Sequence, residues 1–339
     1  MTYARLGLAL LSSVCLAAGA SAAESPAPKP GTEAAALQLE TKIPLGEVAG
    51  RIDHMAVDLA QRRLFVAELG NGSVAVVGLE GAKGVRRLRG FREPQGVGYV
   101  AATDTLYVAS AGDGSVRVFH GPGLDEQPRI ELGDDADNIR VTGDEKQVIV
   151  GYGRGGLAVI DAETNRKRAD MALPAHPEGF RLEEGGSRIF VNLPDARAIA
   201  VVDRTTGRTL AKWPTGALGG NFPMTLDRER QRALVVFRQP AKLVVYSMHD
   251  GSTVASAETC GDSDDVFFDA KRDRVYVSCG AGFLDVFETG EAGYRRIDRI
   301  RTVAGARTSL FVPEMDRLFL AVRASVGEPP AIWVYRPAP

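Results

Sequence analysis

The stretch Ile52-Asp53-His54-Met55-Ala56-Val57-Asp58, followed by Arg63-Leu64-Phe65-Val66-Ala67 and Ser73-Val74-Ala75-Val76-Val77, sets a pattern that recurs along the chain. Each piece is a short run rich in β-branched, aliphatic or aromatic residues. Turn formers such as Gly70-Asn71-Gly72 and Gly112-Asp113-Gly114 separate the runs, which is how short antiparallel strands read. The second copy runs through Gln95-Gly96-Val97, Leu106-Tyr107-Val108-Ala109 and Ser115-Val116-Arg117-Val118-Phe119. The third opens at Asp137-Asn138-Ile139 and the fourth at Glu178-Gly179-Phe180. Three more open at Phe222-Pro223-Met224, Asp264-Asp265-Val266 and Arg307-Thr308-Ser309. A period of about 40 residues is that of a four-stranded propeller blade. Seven copies therefore predict an all-β, seven-bladed β-propeller. A lone blade would leave both sheet faces in water, so stacked neighbours form one cooperative domain, expected over residues 35–339. The last repeat ends at Tyr335 with three strands, while residues 37–45 precede the first repeat unpaired. That segment is expected to supply the outermost strand of the last blade and close the ring, removing an open edge.

The chain is 45% hydrophobic and 25% charged, an ordinary globular profile that can bury a core. Its formal net charge is -2 with both signs interspersed, so there is no basic stripe for nucleic acid and no polybasic anchor for anionic lipid. The first residues read as an export signal over 1–22: Arg5, an apolar run from Leu6 to Ala18, and small residues ending Ala20-Ser21-Ala22. The run is shorter than the roughly 20 residues that span a bilayer. Val14 stands before Cys15 where lipoprotein processing wants a small residue. A periplasmic or secreted product without membrane insertion is expected, with Pro26, Pro28, Pro30 and Gly31 making a flexible leader over 23–34.

Leu106-Tyr107-Val108-Ala109-Ser110 and Val275-Tyr276-Val277-Ser278 resemble the Tyr-Val-Thr-Asn strand that names the YVTN-repeat propellers. The turns Asp161-Ala162-Glu163-Thr164-Asn165 and Asp203-Arg204-Thr205-Thr206-Gly207 resemble those that follow it in the same family. The resemblance spans nearly the whole mature chain. It implies an exported binding or surface propeller and names no activity, because a fold does not carry a function.

In a propeller the innermost strand of each blade lines a central channel. Aligning the copies places Asp53, Gln95, Asp137, Glu178, Phe222, Asp264 and Arg307 at one ring position near a channel mouth. The next ring holds His54, Gly96, Asn138, Gly179, Pro223, Asp265 and Thr308. Converging carboxylates and amides suit a hard cation such as Ca²⁺, which wants six to eight oxygens; a solvated rim with Arg307 neutralising its acids is the plainer reading. Two residues further along, Arg140 and Arg181 should face the channel beside Ala56, Gly98 and Thr225, where guanidinium forks clamp a carboxylate or phosphate, or pair with Asp137 and Glu178. The mouth formed by Asp53, His54, Gln95, Asp137, Asn138, Glu178, Asp264 and Arg307 is the expected ligand site.

None of the histidines His54, His120, His176 and His249 has metal-motif spacing. His54 is the best general-base candidate, and His120 and His249 fall in outer turns. No Gly-x-Ser-x-Gly elbow is present. After export two cysteines remain, Cys260 and Cys279, and an oxidising compartment favours a disulfide between them on the mouth face. A binding or scaffold module for a small molecule or a periplasmic protein needs no catalytic set. A propeller lactonase, whose metal-dependent type would draw on residues like Glu178, Asp264, Asn138 and Asn221, is the alternative. An accessory subunit of a periplasmic oxidoreductase is a third reading, but the sequence has no Cys-x-x-Cys-His for haem attachment.

Overall fold

A computed structural model of the chain describes residues 35–80, 84–290 and 293–339. It contains seven four-stranded antiparallel sheets, one for each sequence repeat. The innermost strands of blades 1 to 7 are Met55–Asp58, Pro94–Val100, Ile139–Val141, Phe180–Leu182, Gly219–Asp227, Ser263–Asp269 and Ser309–Val312. Burial explains the composition of the repeat. The second strand of each blade is covered on both faces by neighbouring blades: Thr105–Ser110 is buried throughout, and Leu64, Phe65, Val66 and Ala67 are wholly inaccessible. Outermost strands meet solvent and turn polar, as in Arg166–Ala172, where only Met171 is buried. Periodicity along the chain therefore fades from the middle of a blade to its rim.

Each gap between blades is a separate apolar layer. Between blades 2 and 3, Tyr107 and Val118 meet Ile139, Val150 and Ala158. Across the seam joining the chain ends, Phe319, Ile332 and Val334 of blade 7 pack on Met55, Leu64 and Ala75 of blade 1. As expected, the N-terminal segment closes the ring: strand Leu37–Pro44 lies antiparallel to Ala331–Pro337, from Leu37 opposite Pro337 to Pro44 opposite Ala331, with a bulge between Leu39 and Thr41. The Ala338 N–H donates to Ala36 O at 2.9 Å and the Leu45 N–H to Pro330 O at 3.0 Å. Glu40 ties the edge to Arg317 and Arg336. The turn at Gly114 (φ +64) needs glycine, because a Cβ there would come within 2.2 Å of the Asp134 nitrogen.

Cys260 and Cys279 form the disulfide, with Cα atoms 5.8 Å apart. Both are buried against Leu243, Val266 and Phe287 in the layer between blades 5 and 6. Among the described residues no helix is long and apolar enough to cross a membrane. The export signal and leader read from residues 1–34 lie outside the described residues.

Candidate functional site

The ring alignment corresponds to a repeated backbone contact. The Asp53 N–H donates to Ala67 O and the Ala67 N–H returns to His54 O; Asp137, Gly151 and Asn138 repeat the exchange, as do Glu178, Asn192 and Gly179. Equivalent residues of different blades thus start their innermost strands at one height. Gly179 brings blade 4 against blade 5, its N–H 3.1 Å from Phe222 O, where a Cβ would lie 2.4 Å from that oxygen.

A cavity of about 200 Å³ opens at this end, lined by His54, Gln95, Asp137, Glu178, Asp264 and Arg307 of the expected set. Arg51, Asp135, His176, Phe222 and Arg238 join them. Asp53 and Asn138 lie just behind, both almost fully buried. The acids divide into two kinds. Asp264 is held by arginines: Arg238 Nη2 donates to its Oδ1 at 2.6 Å, Arg307 Nε lies 3.0 Å from its Oδ2, and Arg51 Nη2 lies 3.9 Å from the same oxygen. Arg307 also donates to Asp262 at 2.8 Å, and Arg238 covers the Phe222 ring at 3.8 Å. Asp53 pairs with Arg51 at 2.6 Å.

Asp137 and Glu178 are the other kind. Asp137 accepts only the Asn138 side-chain N–H, at 3.3 Å on Oδ2, and its buried Oδ1 has no partner. Burial, the Glu178 charge and the Asp53 charge outweigh the attraction of His54 and hold the Asp137 carboxyl up at about 7. Burial first, then Asp264, pushes Glu178 up to about 7 as well, against the pull of Arg238 and His54. The mouth therefore presents two acceptor groups that titrate near neutrality.

His54 forms the neck below. Its Nε2 is 3.7 Å from Asp53 Oδ1 and its Nδ1 3.7 Å from Asp265 Oδ2. Burial opposes its charge, but Asp265, Asp53 and Asp137 together raise its pKa to about 10, so the ring is an imidazolium at neutral pH. That state suits a structural cation better than a general base. His120 and His249 are exposed on the outside. His176 stands at the mouth, its Nδ1 2.6 Å from Gly153 O. Arg140 and Arg181 line the channel below His54, with Ala56 and Gly98; Thr225 lies with Arg181 in a depression at the far end. Asn221 is turned away, donating from its buried amide to Ala198 O at 3.0 Å and Asn192 Oδ1 at 3.2 Å.

Sequence reasoning put Asp265 at the right height and gave it no role. It did not place Arg51 and Arg238 at the mouth at all. Arg238 sits in the second strand of blade 5, Arg232–Gln239, at the end facing Gly219. The antiparallel return that places Cys279 on the mouth face would have found it.

No protein-family model matches the chain, and no curated protein matches it. Among solved structures, hydrazine synthase of Kuenenia stuttgartiensis contains a chain that aligns with TM-score 0.74 at 15% identity, covering 92% of this chain and 99% of that one. A chain of the mitotic checkpoint complex aligns with TM-score 0.73 at 12% identity, covering 96% and 99%. At such identities the likeness is one of fold alone.

Proposed function

We propose that the protein is an exported binding propeller of the YVTN-repeat kind, and that its channel mouth holds a small organic cation, an ammonium group between Asp137 and Glu178. The carrying observation is the unpartnered Oδ1 of Asp137, an acceptor buried in a cavity where every arginine already serves another acid. A buried acceptor without a donor costs about 1–3 kcal/mol, which a ligand N–H restores. Phe222 and Arg238 give the cavity one flat wall. The disulfide supports an oxidising compartment such as the periplasm.

Calcium is the competing occupant. Among the described residues no three His, Cys, Asp or Glu side chains converge as a cage, and the Asn138 oxygen already accepts from Arg140 at 3.1 Å. An ammonium needs two or three acceptors where Ca²⁺ needs six or more. The lactonase reading draws on four residues, of which Asn221 faces the contact between blades 4 and 5.

The test is a thermal-shift and calorimetric comparison of benzylammonium, benzyl alcohol and Ca²⁺. Benzylammonium should raise the melting temperature with the logarithm of its concentration, about 2.7 kcal/mol at a hundredfold excess over Kd. Benzyl alcohol should not, and Asp137→Asn or Glu178→Gln should remove the effect. Binding should strengthen as pH rises through about 7, where both carboxyls ionise. A response to Ca²⁺ alone would make the mouth a metal site, and equal shifts in wild type and both variants would place binding elsewhere.

A further inference from the structure

We propose that the channel below His54 is a second, separate site, built for a small organic carboxylate whose charged end sits between Arg140 and Arg181 and whose apolar body fills the channel. The space is about 340 Å³ and touches the innermost strands of six blades. Arg140 and Arg181 line it below His54, and the half-buried Tyr99, Val141, Phe267 and Leu310 supply apolar wall.

The guanidinium groups are underused. Arg140 donates from Nε to Phe180 O at 3.0 Å, from Nη1 to Ile139 O at 2.6 Å and from Nη2 to Asn138 Oδ1 at 3.1 Å. Arg181 makes one bond, from Nη1 to Phe180 O at 3.1 Å. Each guanidinium carries five N–H donors, so two remain on Arg140 and four on Arg181. Among the described residues neither forms an ion pair with a carboxylate, although almost every other channel cation does: Arg51 with Asp53, Arg238 and Arg307 with Asp264, His54 with Asp265. Asp265 is the acid whose charge acts on both, but its Oδ2 is already taken by the Ser309 N–H at 2.8 Å and faces the His54 imidazolium.

Two like charges thus stand side by side, half-buried, hydrogen-bonded only to carbonyl and amide oxygens, with Asp265 nearby but committed to Ser309 and His54. Burial and, for Arg140, the charge of Arg181 depress their basicity. A cation drawn partly out of water without a hydrogen-bonded counter-ion is unfavourable, and a planar pair of forks matches the two oxygens of a carboxylate. Inorganic phosphate would satisfy the arginines and leave the apolar wall unused. A carboxylate with a hydrocarbon body satisfies both the arginines and the apolar wall.

Calorimetry and thermal shift with hexanoate, hexanamide and inorganic phosphate test the assignment on the intact protein. Hexanoate should bind and raise the melting temperature; hexanamide should bind at least tenfold more weakly. Arg140→Met with Arg181→Met should melt higher than wild type when empty, because two repelling charges are gone, and should lose at least tenfold in hexanoate affinity. Arg168→Met, an exposed outer arginine, should change neither. If the double variant does not fold, Arg181→Met alone carries the comparison, since its guanidinium holds one backbone oxygen. Hexanamide binding as well as hexanoate, undiminished hexanoate binding in the variants, or binding of phosphate but not hexanoate would overturn the proposal.

Discussion

Glu178 is the residue at which site and stability oppose each other. Its folded pKa, about 7, lies above its ordinary value near 4.5, so the folded protein holds a proton there that the unfolded chain releases between those values. Stability from this group is present at pH 4 and is lost as pH rises through 7. Replacing Glu178 with Gln removes the charge that burial penalises. The variant should match wild type at pH 4 and exceed it at pH 8 by about 1–3 kcal/mol. Melting curves at the two pH values check this, and an equal or lower melting temperature at pH 8 would mean that the carboxylate is satisfied in the folded state. The sequence revealed that four carboxylates share a ring. It did not reveal which of them is neutralised, because Arg51 and Arg238 reach the ring from a leading loop and from a neighbouring strand, outside the repeat register.

At the scale of elements, the disulfide shows how a strand pair is pinned where it approaches the mouth. Cys260 precedes the innermost strand of blade 6, and Cys279 ends the second strand, Arg274–Cys279, where it lies opposite Ser263. Beside it the Cys260 N–H and the Thr259 hydroxyl donate to buried Asp285 at 2.9 and 3.1 Å, and Arg299 closes that carboxylate from outside. The bridge encloses about 20 residues, worth roughly 3 kcal/mol in the chain-entropy account. Cys260→Ala with Cys279→Ala should lower unfolding free energy in urea by about that amount and leave the β-sheet circular dichroism unchanged. A loss under 1 kcal/mol would show that the packing between blades 5 and 6 holds the pair without the bond. This pairing was legible because a blade returns its second strand to the mouth that its first strand leaves.

Across the whole molecule, the fold was legible because a blade repeats: seven imperfect copies place strands, turns and the closing segment with no need of side-chain detail. The Arg140–Arg181 pair was legible as an anion clamp, but the proposed ammonium site was not, since it depends on which charges remain after neighbours from different blades have paired. Closure offers a test of how the ring is held. The first strand belongs to the last blade, so the contacts of blade 7 join residues nearly 300 positions apart, as in Leu37 opposite Pro337. The register makes the pair a ready hairpin, because Ala338 already donates its N–H to Ala36 O. Moving residues 35–46 to follow Pro339 through a short linker would keep every contact of that strand while making blade 7 continuous in sequence. Deleting the same residues would remove buried Ala36, Leu37 and Leu45 and uncover the edge of Ala331–Pro337. Burying a leucine is worth about 1.5–3 kcal/mol, whereas altering one loop changes closure entropy by a fraction of that. The permuted chain should therefore melt within about 1 kcal/mol of wild type, and the deletion should cost at least 3 kcal/mol. If clasping by the chain ends itself stabilised the ring, the permuted chain would fall with the deletion; if contacts alone decide, the two melting curves will separate.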